Sequence, residues 1–220
     1  MRAQLRPAVV VFDLDGTLIV FKLNVRAAKQ RIIQRLEELG LNTRGITADD
    51  SVQSIITKAL GNNSDVEREF VRNEVLDVMK KFEINASAVA EPREGAAYVL
   101  QELKKRGYRV AVATNTHREA ALRALERRGL LSSIDFLATR DDVENLKPRG
   151  DILRHLLERL NIKPYDALYI GDSIHDMQAA AEAGVPFIGI EGGIHPGKEL
   201  QRGSILPVLR ELHDLLDYLA

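Results

Sequence analysis

The sequence predicts an α/β protein, a parallel sheet with helices on both faces, opened after its first strand by an inserted all-helical domain. Three observations carry that expectation. After Pro92, short apolar runs alternate with amphipathic helical segments; one more apolar run, VVVF at Val9 to Phe12, stands alone near the N-terminus; and between Pro7 and Pro92 there is no proline.

Taken in order, VVVF has no polar residue at either alternate position, which is how a strand buried on both faces of a parallel sheet reads. The insert follows. Val25, Ala28, Ile32, Leu36 and Leu39 recur every three or four residues, as one face of a helix does, and Val71, Val75, Val78 and Phe82 repeat the pattern. A third helix fits DDSVQSIITKAL between them. Gly40 and Gly61 punctuate the ends, and SDVE, Ser64 to Glu67, has the spacing of a capping box that opens the next helix. Beyond Pro92, YRVAVATN, IDFLAT, ALYIGD and PFIGI read as four more strands, separated by helices such as GAAYVLQELKKRG and RGDILRHLLERLN. The domain boundaries expected are 1–20 with 91–220 for the α/β core and 21–90 for the helical insert.

Composition narrows the function. The 220 residues suffice for one medium domain with a smaller insert, and 45% hydrophobic with 29% charged residues is ordinary for a soluble globular protein. A formal net charge of -1 supplies no global field for nucleic acid or an anionic membrane, so any anion site must be local. The absence of Cys excludes disulfides, thiolate metal sites and a Cys nucleophile, and suits a reducing cytoplasmic home. Arg2 and Arg6 ahead of an apolar run imitate a signal peptide, but Asp13 breaks that run too early. No stretch approaches the roughly 20 apolar residues of a membrane helix.

Ligands of an open parallel sheet bind beyond the carboxyl ends of its strands, so the residues that end each apolar run matter most. VVVF runs into Asp13 and Asp15; RVAVAT ends in Thr114 with Asn115 next; LYIG ends in Asp172, with Asp176 four residues on; Lys147 precedes Pro148, a residue suited to opening a helix. Carboxylates crowded together repel and raise one another's pKa unless a cation intervenes, and a hard, oxygen-only site matches Mg²⁺. Such a rim can do phosphoryl chemistry. Asp13 can attack phosphorus while Asp15 protonates the departing alcohol, with Mg²⁺, Lys147 and Thr114 neutralising the phosphoryl oxygens.

DLDGTL, VATN, KP and GDSIHD, in this order, resemble the four motifs of the haloacid dehalogenase-like hydrolases, in the phosphoglycolate phosphatase-like branch whose helical cap follows the first motif. The resemblance spans the chain. It implies a Rossmann-like core, an Asp13 nucleophile, Asp15 as general acid and base, Thr114 and Lys147 as phosphate ligands, and a Mg²⁺ ion. Asp13 and Asp172 would hold that ion through their side chains and Asp15 through its backbone carbonyl. Asp176 would support the metal or Lys147 from behind.

Plainer uses of these residues stand beside the functional ones. DG at Asp15 and Gly16 is common turn chemistry, and Ser173 with Asp176 has capping-box spacing. Thr116 and Glu119 form a further capping box, read as structural. Asn115 is expected to hold its loop or touch the phosphoryl group. His117 and His175 fall beside the motif loops and read as solvated; His155, His195 and His213 show no ligand-like spacing. GGIHPGK, Gly192 to Lys198, imitates a phosphate-binding P-loop but lacks its Ser or Thr, so it reads as a loop.

The leading expectation is a Mg²⁺-dependent phosphatase acting on a small phosphorylated metabolite, with neither nucleic acid nor membrane as partner. A phosphomutase would keep every catalytic residue and differ in excluding water. A dehalogenase needs no acid at Asp15, and a phospho-accepting regulatory module needs neither that acid nor a cap. The residues from about Phe21 to Ala90 are expected to choose the substrate, whose identity no spacing spells out.

Overall fold

The computed structural model describes residues 5–193 and 195–220; Arg2 and Ile194 lie outside them. The chain divides into two compact units, one that breaks off at Phe21 and resumes at Ala90, and a second spanning Lys22–Val89.

Strand β1 (Val9–Phe12) leads through a tight loop to β2 (Ile19–Val20), the last element before the second unit. That unit is helical: α1 (Val25–Glu38), α2 (Val52–Asn62) and α3 (Arg68–Ser87). Helix α1 buries Ala28, Ile32 and Leu36, the stripe its periodicity marks, and α3 packs beside it with Val71, Val75 and Val78 inward. One helix start differs from expectation. SDVE does not cap α3: Ser64 and Asp65 lie in a turn closed from Val66 N–H to the Asn63 carbonyl, and the helix begins only after Glu67. Those residues are used in leaving α2, whose C-cap is Asn63.

The chain returns through β3 (Glu91–Pro92), which pairs antiparallel with β2. It then alternates: α4 (Ala96–Lys105), β4 (Arg109–Thr114), α5 (Arg118–Arg127), β5 (Phe136–Thr139), α6 (Asp151–Leu160), β6 (Ala167–Gly171), α7 (Ile174–Ala183), β7 (Phe187–Gly189) and the short α8 (Gly197–Leu200). The five longer-range strands form one parallel sheet in the order β5-β4-β1-β6-β7. Val9, Val11, Ala113 and Tyr169 face the buried stripes of α6 (Ile152, Leu156) and α7 (Ala179, Ala183). The alternate positions Val10, Phe12, Val112 and Ile170 are as deeply buried on the other face, where α4 packs on β4. Truncating such core residues to Ala typically costs roughly 2–5 kcal/mol, so these layers fix the strand ends firmly.

Helix α6 starts later than Pro148 suggests. Gly150 is its N-cap, in a crossing so tight that an added Cβ would stand 3.0 Å from backbone atoms of Ala179 and Ala183 in α7. GGIHPGK is a loop only in part, since Gly197 and Lys198 already belong to α8. Among the described residues no helix is long and apolar enough to cross a membrane.

Candidate active site

The strand order reverses at β1: the chain runs outward through β4 and β5, then returns to β6 on the other side. In sheets of this kind that reversal opens the ligand crevice at the carboxyl ends. Register sets what gathers there. Phe12 lies opposite Val112 and Ile170, and the Asp13 N–H donates to the Ile170 carbonyl, so Asp13, Thr114 and Asp172 all emerge on one rim.

Asp13 is 6% exposed and Lys147 5%, and the Lys147 ammonium donates to Asp13 Oδ1 at 2.5 Å and to Asp176 Oδ1 at 2.6 Å. Carboxylate oxygens of Asp13, Asp172 and Asp176 lie within 4.8 Å of one another. Three carboxylates against one ammonium give this buried cluster a formal charge of -2 when all are ionised, and the Arg93 guanidinium is attracted to Asp172. Its ionisation shows the strain. Burial pushes the Asp13 carboxyl well above the usual carboxylate range despite Lys147, with Asp176 and Asp172 adding to the rise. Burial and then Asp176 push Asp172 up to about 6. Asp176 goes the other way, because Lys147, Ser173 and Tyr169 outweigh its burial. Burial would also neutralise Lys147, but Asp13 and Asp176 overcome it and raise its pKa. The donor set is oxygen-only and rich in carboxylate, which fits one hard divalent cation.

Asp176 does two things at once. Its Oδ2 accepts from the N–H and hydroxyl of Ser173, the capping box that starts α7, while Oδ1 serves Lys147 and the Tyr169 hydroxyl. Asn115 turns its amide to the Lys147 backbone, donating to the carbonyl at 3.1 Å and accepting from the N–H at 2.9 Å. The adjoining Lys147–Pro148 peptide is cis. Asp15 lies apart from the carboxylate cluster, half-buried, with Oδ1 accepting from the Phe21 N–H at 3.0 Å. Thr114 is buried, and its hydroxyl donates to Thr116 Oγ1 and accepts from the Thr116 N–H. That pull corrects one expectation: Thr116 does not cap α5. The N-cap is His117, whose Nδ1 accepts from the Glu119 N–H, so His117 is a capping residue with Nε2 3.7 Å from Asp141. His195 likewise accepts, through Nδ1, from the Ile174 N–H at the start of α7.

Five residues make contacts here that a reading of the sequence does not give. Thr17 donates to Asp172 Oδ1 at 3.2 Å. Gly193 passes so near Asp172 that a Cβ there would stand 1.8 Å from Oδ2, and at Gly16, with φ +89, the same distance would be 2.4 Å. Arg93 ties the two glycine loops together, donating to the carbonyls of Gly16 and Glu191. Tyr169 reaches Lys147 Nζ at 3.0 Å. The only signals were the Thr of DGT, the paired glycines of GGIHPGK and a Tyr inside an apolar strand.

Known proteins share this arrangement of elements. The chain is 29% identical to the phosphoglycolate phosphatase of Nitrosospira multiformis and 27% identical to pyrophosphatase PpaX of Halalkalibacterium halodurans, in each case over 94% of both proteins. A solved structure from Bacteroides fragilis, described as a haloacid dehalogenase-like hydrolase, superposes with a TM-score of 0.70 at 25% identity, covering 95% of this chain and 99% of that one. The pattern of the haloacid dehalogenase-like hydrolases matches residues 10–190, from inside β1 to the residue after β7, the span that carries every strand-end group described above, and the chain belongs to that family.

Proposed function

We propose that this enzyme is a Mg²⁺-dependent phosphatase that hydrolyses a small phosphorylated metabolite through an aspartyl-phosphate on Asp13. The observation that carries the reading is Asp13 itself: a carboxylate at the end of the central strand, buried against Lys147, in a cluster of three buried carboxylates. The names of the relatives, which concern phosphate esters and pyrophosphate, agree with it.

Mg²⁺, held by the side chains of Asp13 and Asp172 and the backbone carbonyl of Asp15, would neutralise the cluster and the phosphoryl oxygens. The residues do the rest. An Asp13 oxygen bonds to phosphorus as the phosphorus–oxygen bond to the alcohol breaks, and Asp15 supplies the proton the leaving oxygen needs. Lys147 and the Thr114 hydroxyl take charge from the phosphoryl oxygens, while Asn115 serves that pocket by fixing the Lys147 backbone. Water then attacks the same phosphorus, Asp15 takes its proton, and the bond to Asp13 breaks to release phosphate. We assign substrate choice to the helical unit, as a cap, and a cytoplasmic location, with which the Cys-free composition is compatible.

Hydrolysis and mutase chemistry share the first half of this scheme, and isotope labelling separates them. In ¹⁸O water, with Mg²⁺ and a panel of phosphorylated metabolites, released inorganic phosphate is expected to gain one solvent oxygen per turnover while the alcohol keeps its own. Conversion of glucose 1-phosphate to glucose 6-phosphate with little free phosphate would overturn the phosphatase reading and leave the site assignments standing.

A further inference from the structure

We propose that Tyr169 is a positioning residue for phosphoryl transfer: its hydroxyl, held between Lys147 and Asp176, aims the Lys147 ammonium at the reacting carboxylate of Asp13. The inference rests on the phosphatase reading above and extends it to a residue that touches neither substrate nor metal in that scheme.

Donor counting carries the argument. An ammonium has three protons to give and no lone pair. Two go to Asp13 Oδ1 and Asp176 Oδ1; for the third, the nearest acceptors are the Tyr169 oxygen at 3.0 Å and the Ala113 carbonyl at 3.3 Å. Tyr169 has one proton, and the Asp176 carboxylate at 2.7 Å is both nearer and more strongly accepting than the Ala113 carbonyl at 3.3 Å. The tyrosine therefore donates to Asp176 and turns a lone pair to Lys147. Its ring is fully buried on β6, with the Phe187 ring 6.1 Å away, and Asp176 Oδ2 is occupied by Ser173. Neither anchor has room to swing.

The consequence appears when Asp13 reacts. As one of its oxygens bonds to phosphorus, Asp13 becomes a weaker acceptor, and Lys147 must follow the charge onto the phosphoryl oxygens. Tyr169 and Asp176 are the two contacts that persist, so they define where the ammonium points. Without the hydroxyl, the third proton has, among the described residues, only the Ala113 carbonyl, which lies back along β4. The ammonium is then free to turn from the reacting group.

The test is a double-mutant cycle with p-nitrophenyl phosphate as substrate. Tyr169→Phe keeps the ring and its packing. Loss of one hydrogen bond to a charged group predicts a fall in kcat of about tenfold, with KM and the Mg²⁺ requirement changed by less than about twofold. Orthovanadate, which mimics the five-coordinate phosphorus, should bind more weakly by the same factor as kcat falls. In a Lys147→Gln background the Tyr169→Phe loss should shrink to less than about twofold, because the group it acts through is gone. Equal loss in both backgrounds, or an unchanged kcat in folded Tyr169→Phe, would overturn the inference while leaving the phosphatase reading intact. Full activity of Lys147→Gln would instead remove Lys147 from that reading, and this inference with it. Should Lys147→Gln not fold, the vanadate comparison decides: a loss confined to KM, with vanadate affinity unchanged, refutes the positioning role.

Discussion

Asp13 sits where a carboxylate is hardest to keep ionised. It is buried beside two other buried carboxylates, and one ammonium serves both it and Asp176. Desolvation of this kind costs several kcal/mol per ion unless charge and hydrogen bonds compensate, so a merely structural Asp gains nothing here that Asn would not supply. Asp13→Asn is accordingly expected to fold, to melt no lower than the parent, and to lose at least roughly 10³ in turnover, about 4 kcal/mol of barrier. Steady-state kinetics with a thermal melt check this, and near-normal turnover would remove Asp13 as the nucleophile. Asp13 and Asp172 are legible in the sequence because charge ends an apolar run, and Lys147 because it precedes Pro148. Tyr169 is not, since inside ALYIGD it counts toward the apolar run and its one polar atom leaves no pattern. Thr114 and Asn115 fall between: their position is legible, but their partners are not. The contacts of Asn115 with the Lys147 backbone join residues 32 apart in sequence.

Elements place those residues, and loops do so as much as strands. Asp172 follows β6 directly, yet it is the loop after β7 that packs onto it through Gly193, while Arg93 ties that loop to the one after β1. A methyl at 193 meets Asp172 Oδ2 at 1.8 Å, so either the carboxylate or the loop must shift. Gly193→Ala is therefore expected to raise the Mg²⁺ concentration needed for half-activation by about 10- to 100-fold, with much of kcat recovered at saturating Mg²⁺. Activity titrated against Mg²⁺ measures it, and an unchanged midpoint would exclude Asp172 as a ligand placed by this contact. Longer elements were legible because periodicity needs length: the five sheet strands and α1 fall where their apolar patterns lie. The pair β2 and β3 was not, since two residues carry no period and Pro92 argues against a strand. Capping signals misled twice for one reason, that Ser and Thr side chains also bond near neighbours outside a helix: Ser64 sits in the turn out of α2 with its hydroxyl on Asp65, and Thr116 is drawn to Thr114.

At the scale of the whole molecule, the α/β unit is built from two separated stretches of chain, and β2 and β3 seal the place where they part. Ile19 lies opposite Pro92 and Val20 opposite Glu91, with Phe21 and Ala90 the last residues of the unit on either side. The two ends thus have the geometry of a hairpin missing its turn, which two to five residues close. Every group assigned to the chemistry, Asp13, Asp15, Thr114, Asn115, Lys147, Asp172 and Asp176, lies in this unit, as does the pattern of contacts that orients them. Residues 22–89 contribute their own buried stripes on α1 and α3 and none of those groups. Replacing them with a short Asn-Gly turn between Phe21 and Ala90 should therefore leave a chain that folds and binds Mg²⁺. It should hydrolyse p-nitrophenyl phosphate, an ester whose good leaving group asks little of the acid, within about a hundredfold of the parent kcat. Preference among phosphorylated metabolites, by contrast, should flatten, because the unit assigned to substrate choice is gone. Circular dichroism, a Mg²⁺ titration and kcat/KM across the metabolite panel read the three outcomes. A shortened chain that folds and binds Mg²⁺ but keeps the parent's ranking of substrates would move specificity into the α/β unit. One that folds without Mg²⁺-dependent turnover would mean that the helical unit supplies part of the chemistry.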